Sequence, residues 1–218
     1  MPAQPLSPLT AGLVPERDAA RPLITYVEGP ARVELSGATT ANWVSKTANL
    51  LTDSCGSPAR VGLLLPLHWQ TPCLLLGAVA AGATVVIATD ASGLAGCEVA
   101  FTTAEASLAA LEAGVDEVFA CSLTPFATRL AVVPPGVNDA AVEIPGHGDH
   151  FGGRPRAARV EVGGVLVDVP QLDVTAQDRV LVTQDLLTVL GVLKAGASVV
   201  LAPSGEVGPQ EGVTCSFS

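Results

Sequence analysis

The sequence predicts an α/β fold with a mostly parallel sheet, built around two copies of one β-α-β unit. Three observations predict it. Residues 70–88 (QTPCLLLGAVAAGATVVIA) and 184–202 (QDLLTVLGVLKAGASVVLA) align without gaps at an offset of 114 and match at nine of 19 positions, where chance gives roughly two. An apolar strand opening on Arg-Val precedes each copy, at Arg60-Val61 and at Arg179-Val180. Each copy then runs with helical periodicity to an Ala-Gly-Ala and passes into a β-branched run, so the glycine stands where a left-handed helix cap is needed. A strand, a crossover helix and a second strand in that order place the two strands parallel on a right-handed connection.

The elements follow in order. Residues 1–22 are proline-rich and lack both a basic start and a continuous apolar run, which reads as a flexible arm and not as a secretory signal. Residues 23–218 are expected to form a single α/β domain. Residues 23–27 and 32–35 alternate around Glu28-Gly29-Pro30, a hairpin pattern. Ser36 and Thr39 are helix caps for a helix over about 40–51. A strand over 60–65, a loop at 66–69, a helix over about 71–81 and a strand over 84–88 make the first unit. A strand over 98–101, a short helix capped by Thr102 or Thr103 and a strand over 117–121 come next. Residues 134–157 are rich in Pro, Gly and His and read as a long connection. Strands over 159–162 and 165–169 flank Gly163-Gly164. The second unit has a strand over 179–182, a helix over 185–195 and a strand over 198–201, and a terminal strand at 212–215 ends the chain. ARVELSG at 31–37 matches ARVEVGG at 158–164, which extends the pseudo-repeats to about 31–103 and 158–217.

Composition excludes several functions. Apolar residues make up 49% and charged residues 15%, with a mean hydropathy of +0.47, the profile of a large Ala/Val/Leu core and not of a disordered acidic chain. The net charge is −10, and the 11 Lys and Arg form no stripe. Nucleic-acid binding needs concentrated cations to displace phosphate counterions, so it is not expected, and neither is an anionic membrane surface. The most apolar stretch, 73–88, is too short to span a bilayer and is broken at Gly82. Five cysteines, an odd number without CxxC spacing, point to a reducing, cytoplasmic setting without disulfides or a zinc ribbon.

Several runs resemble one family. They are Pro22-Leu-Ile-Thr-Tyr, Val33-Glu-Leu-Ser, Trp43-Val-Ser-Lys-Thr-Ala-Asn-Leu-Leu, Arg60-Val-Gly-Leu-Leu-Leu-Pro, Ala80-Ala-Gly-Ala and Thr175-Ala-Gln-Asp-Arg-Val-Leu-Val-Thr. Together they resemble the N-terminal region of adenylate-forming, acyl-CoA synthetase-like enzymes, and short bacterial relatives of those enzymes. The resemblance covers about 120 residues, all scaffold segments. It implies the fold of that region. It also implies a Ser/Thr/Gly-rich phosphate loop with a lysine, where hydroxyls, N–H groups and a cation meet the phosphates. Here the corresponding region is 147–157, HGDHFGGRPRA. Gly153, Arg154 and Arg156 echo the end of a degenerate phosphate loop, but no hydroxyl precedes them and Asp149 opposes phosphate. The chain also ends before the family's adenine motif, ribose-binding aspartate and catalytic lysine. Adenylation by the family route is therefore not expected of this chain alone, and no cofactor or catalytic residue is assigned.

The remaining chemistry is sparse. His147-Gly-Asp-His150 offers three ligands without a fourth, short of a structural metal site. There is no GxSxG, GxGxxG or GxxxxGK[ST]. His68 and Trp69 follow a strand and precede a helix, at a carboxyl end of the sheet where open α/β sheets hold ligands. The repeat-equivalent turn is Thr183-Gln184-Asp185. These five are the candidate ligand-binding residues. Set against that, Trp69 is expected to pack under a neighbouring loop, with His68 a solvated turn residue. Two roles stay open: a non-catalytic scaffold that binds a protein partner or a second copy, and a small-molecule (nucleotide or acyl-CoA) binder or minor enzyme.

Overall fold

The computed structural model describes residues 19–153 and 158–217. Arg154 and Arg156 of the candidate phosphate loop, and residues 1–18 of the N-terminal arm, lie outside them.

Chain order gives twelve strands among the described residues: β1 Pro22–Glu28, β2 Ala31–Ser36, β3 Arg60–Leu64, β4 Thr84–Ile87, β5 Val99–Thr103, β6 Glu117–Cys121, β7 Asn138–Asp139, β8 Arg159–Val162, β9 Val165–Val167, β10 Arg179–Val182, β11 Ser198–Leu201 and β12 Cys215–Phe217. The α-helices are α1 Gly37–Asn49, α2 Gln70–Ala81, α3 Ser107–Glu112, α4 Ala140–Glu143 and α5 Leu186–Lys194. The Ser36 hydroxyl accepts from Thr39 N–H and so starts α1. Gly82 (φ 86°) ends α2, and Gly196 (φ 80°) follows α5, both in the left-handed conformation that the Ala-Gly-Ala matches require.

Both repeat units are parallel β-α-β. Arg60 stands opposite Thr84 across β3 and β4, and Arg179 stands opposite Ser198 across β10 and β11. On the far side β5 pairs parallel with β3, and β12 with β10. Two sheets result, one ordered β12-β10-β11-β1-β2 and one ordered β7-β6-β5-β3-β4-β8-β9.

The same five-strand order therefore occurs twice, and each sheet is closed by the hairpin of the other half. The β1–β2 hairpin precedes the first unit but joins the second: Ile24, Thr25 and Tyr26 pair with Val199, Val200 and Leu201 of β11. The β8–β9 hairpin precedes the second unit but joins the first, through β4. This corrects part of the sequence alignment. The two ARVE runs are not equivalent positions, because β8 occupies the place of β1, not of β2. The terminal strand also begins at Cys215 rather than residue 212, since Gly212 is spent in a left-handed turn (φ 59°). The connection at 134–157 is not structureless: it contains β7, α4 and a 3-10 turn at Ile144–Gly146, with Asp139 capping α4 through Ala141 N–H.

One apolar core joins the sheets, with Ile24, Val61, Val85, Phe101, Val180 and Leu201 among its fully or nearly fully buried members. Eleven of the twelve residues of α2 are buried, as expected of a helix apolar all round and packed on every side. The seven-stranded sheet has a second buried face, where Val86, Ala100, Val118 and Ala120 meet Leu94 and Ala110. The second face of the five-stranded sheet is smaller, Leu181, Val200 and Ala202 under Val207 and Val213. An ionic network holds that cover down. The Glu211 side chain, 1% exposed, accepts from Arg32 Nε at 2.8 Å and pairs with Arg179 at 3.3 Å, and Arg179 also donates to Thr25 Oγ1 at 2.8 Å.

Candidate functional site

The chain leaves β3, forms β4 on one side, and returns to place β5 on the other. The strand order reverses at β3, which opens a crevice at the carboxyl edge of the sheet. Four parallel strands end there, and their last residues, Leu64, Ile87, Thr103 and Val162, all line one cleft of about 670 Å³. The start of α5, from the other sheet, forms the opposite wall with Gln184, Asp185, Leu186 and Leu187. Leu65, Leu67, Ala106 and Ala109 add apolar surface, and Thr71, Thr89 and Asp90 add polar atoms. The volume and the apolar lining with few polar groups are those of a small-molecule site.

Three of the cleft's polar side chains already make hydrogen bonds within the protein. Asp185 caps α5, accepting from Leu187 N–H and Thr188 N–H at 3.0 Å each and from the Thr188 hydroxyl at 2.6 Å. Asp90 caps the turn Ala91–Leu94 through the Ser92 N–H at 2.9 Å, the Ser92 hydroxyl at 2.5 Å and Gly93 N–H at 3.3 Å. Those donors, the Ser92 hydroxyl foremost, hold its carboxyl below the usual range. Thr71 Oγ1 donates to the Pro66 carbonyl at 2.7 Å.

Of the five sequence candidates, the structure brings Gln184 and Asp185 to this cleft. Thr183 is outside its lining, and so are His68 and Trp69. His68 is not a solvated turn residue: it is 1% exposed, with its ring centroid 4.7 Å from Tyr26 edge-on and 5.4 Å from Trp69. Burial pushes its imidazole down to about 4, against smaller opposite pulls from Glu28 and the Thr124 carbonyl. Nδ1 accepts from Gln70 N–H at 3.4 Å, while Nε2 makes no hydrogen bond of normal geometry. Trp69 does pack beneath a loop, as the sequence suggested. Its Nε1 donates to the Pro125 carbonyl at 2.8 Å, and its ring meets Trp43 at 5.2 Å. Both rings face the core because α2 is buried on every side.

Sequence reasoning missed Asp90 and Thr71. Asp90-Ala-Ser92 just beyond an apolar strand is the signal that was present, an Asx cap at a carboxyl edge.

Gly153 lies elsewhere, beside a second hollow of about 500 Å³ lined by Asn49, Thr52, Asp53, Phe151 and Gly152. The segment before it is fastened to α1. Lys46 Nζ donates to the Pro145 and His147 carbonyls at 3.1 and 2.6 Å, and Asn49 Nδ2 to those of Gly148 and His150 at 2.9 and 3.0 Å. Among the described residues no group of three or more His, Cys, Asp or Glu could hold a metal ion, and no helix is long and apolar enough to cross a membrane.

No family model matches the chain. A "TIGR03089 family protein" of Mycobacterium tuberculosis is 38% identical over 204 residues, covering 84% of this chain and 83% of that protein. The chain belongs to the TIGR03089 family. Among solved structures this TIGR03089 chain is similar to an acyl-CoA synthetase of Brucella canis, with a TM-score of 0.72, 18% identity, and coverage of 90% of this chain and 44% of that one. It is similar to an anthranilate CoA ligase in complex with anthranoyl-AMP at a TM-score of 0.72 and 15% identity, over 94% and 46% of the two chains. The N-terminal domain of FACL13 from Mycobacterium tuberculosis matches at 0.63 and 19%, over 92% and 57%. The TIGR03089 chain thus spans about half the length of the solved structures it matches. These likenesses establish the fold, that of the N-terminal part of acyl-CoA synthetase-like proteins, as the sequence runs had implied.

Proposed function

We propose that this protein is a small-molecule-binding domain on an acyl-CoA synthetase-like scaffold, with its ligand in the cleft between the carboxyl edge of the seven-stranded sheet and the start of α5. One observation carries the reading: four parallel strands and an incoming helix start end in one largely apolar cleft of about 670 Å³ at a strand-order reversal. ATP-dependent ligation is not part of the reading. The segment where a phosphate loop would stand, residues 147–157, has no Ser, Thr or Lys to donate to a phosphate, and its Asp149 is paired with Lys46. The test is mass spectrometry of small molecules that co-purify with the native protein, beside Ala109→Phe, which fills the cleft from exposed α3. The proposal expects a ligand on the native protein that Ala109→Phe loses. A ligand retained equally by both places the site elsewhere.

A second reading, the partner-binding scaffold or homodimer, draws on a different feature. Phe126 and Val132 are each 78% exposed on the segment between β6 and β7, with Val133 part-exposed beside Val132, and exposed apolar residues that gather into one patch are the usual mark of an interface. Sedimentation equilibrium at micromolar concentration separates dimer from monomer, and Phe126→Ser with Val132→Ser abolishes the dimer on this reading.

A further inference from the structure

We infer that the cleft excludes anions, because Asp90 and Asp185 fill with their own carboxylates the two turn and helix starts that face it, so that its ligands are uncharged or cationic molecules with an apolar body. The inference rests on the reading of this cleft as a ligand site and names the class of ligand it takes.

A helix start is an ordinary anion site, since its first N–H groups are unpaired and carry a partial positive charge. Here the protein has used that capacity itself. Asp185 takes the N–H groups of Leu187 and Thr188, and Asp90 takes those of Ser92 and Gly93. A phosphate or carboxylate arriving in the cleft finds those donors occupied and meets two negative charges. Among the described residues that line the cleft there is no Lys, Arg or His to offset them. Both carboxylates are exposed to solvent, so each like charge at about 6 Å costs an anion roughly threefold in affinity, and the two together on the order of tenfold. The same arrangement favours a donor. All three hydrogen bonds to Asp90 fall on Oδ1, which leaves Oδ2 to accept from a ligand O–H or N–H. Leu65, Leu67, Ile87 and Leu186 supply the surface for an aliphatic or aromatic body. Acyl adenylates, thioesters of phosphorylated carriers and free fatty acids are excluded on this account. Alcohols, amides and amines of similar size are admitted.

Three probes of one chain length separate the terms: 1-octanol, octylammonium and octanoate, titrated into the full chain at neutral pH by calorimetry. The expected result is that octanol and octylammonium bind, and that octanoate binds at least about tenfold more weakly. Asp90→Asn with Asp185→Asn keeps both caps, because Asn caps as well as Asp. It should bring octanoate to within about threefold of octanol. If the Asn variants fail to fold, Asp90→Ser and Asp185→Ser supply the same caps. Octanoate binding the native protein as tightly as octanol, or an unchanged ratio in the double variant, overturns the anion exclusion and leaves the cleft standing as a ligand site. Failure of all three probes to bind removes the cleft reading and this inference with it.

Discussion

Lys46 and Asp149 form an ion pair at 2.7 Å, and the same ammonium donates to the Pro145 and His147 carbonyls. A lysine near the position of a phosphate loop would ordinarily be read as a phosphate ligand. This one is consumed in fastening residues 145–150 to α1. Titration with ATP·Mg²⁺ is expected to show no saturable binding in the native protein. Lys46→Ala should lower unfolding stability by about 1–2 kcal/mol, since charged hydrogen bonds are lost, and should leave nucleotide binding absent. Saturable ATP binding that Lys46→Ala abolishes would show that the lysine is free to meet phosphate.

Glu211 anchors the cover of the five-stranded sheet. Glu211→Ala strands Arg179, whose other carboxylate is Glu34 at 3.8 Å, and should cost about 2–3 kcal/mol by urea unfolding. Hydrogen bonding from Arg32, then from Arg179, holds the Glu211 carboxyl below the usual carboxylate range. Its stabilisation is therefore present above the ordinary Glu value near 4.5 and is lost as pH falls through the lowered one. A Glu211→Ala variant as stable as the native protein at pH 7 would contradict this.

His68 titrates in a different window. Its imidazole stands at about 4 in the folded chain against 6.5 when free. The unfolded chain binds the extra proton between those values, so stability falls on acidification from about 6.5 to about 4, by roughly 3 kcal/mol. His68→Asn retains an acceptor for Gln70 N–H and removes this loss. Urea midpoints at pH 7, 6, 5 and 4.5 for the two proteins check it. Parallel pH profiles would show that His68 does not carry the effect.

Gly77 and Gly191 are matched positions of the repeat, and both mark close approaches. A Cβ on Gly77 would lie 2.4 Å from Thr47 Cβ of α1, and one on Gly191 would lie 2.9 Å from the Pro170 carbonyl. Gly77→Ala must push α1 from α2 and should cost about 2–3 kcal/mol. Gly191→Ala meets backbone at a longer distance and should cost about 1–2 kcal/mol. Thermal unfolding midpoints measure both, and an unchanged midpoint for Gly77→Ala would mean that the helices are not held at this distance.

What was legible in the sequence was local. The Ala-Gly-Ala caps, the parallel units and the cap at Ser36 each depend on a few neighbouring residues. The hairpin exchange was not legible. Ile24 pairs with Val199, and apolar alternation specifies that a face is buried but not which strand lies beside it. The ARVE match pointed to the wrong equivalence for the same reason. His68 was misread because a turn between a strand and a helix does not state which way its side chains point. Tyr26 of the other sheet, whose ring meets the imidazole, decides that. The cleft was half legible: Gln184 and Asp185 follow a strand, but their meeting with Ile87 and Asp90 needs the two sheets in place.

The cleft itself is tested most directly by backbone amide NMR shifts of the full chain on addition of 1-octanol. The account predicts saturable shifts concentrated at residues 64–67, 87–91 and 184–187, and their loss in Ala109→Phe. Saturable shifts centred on Asn49 and Phe151, or on residues 126–133, would contradict it, and so would shifts in the cleft that Ala109→Phe leaves unchanged.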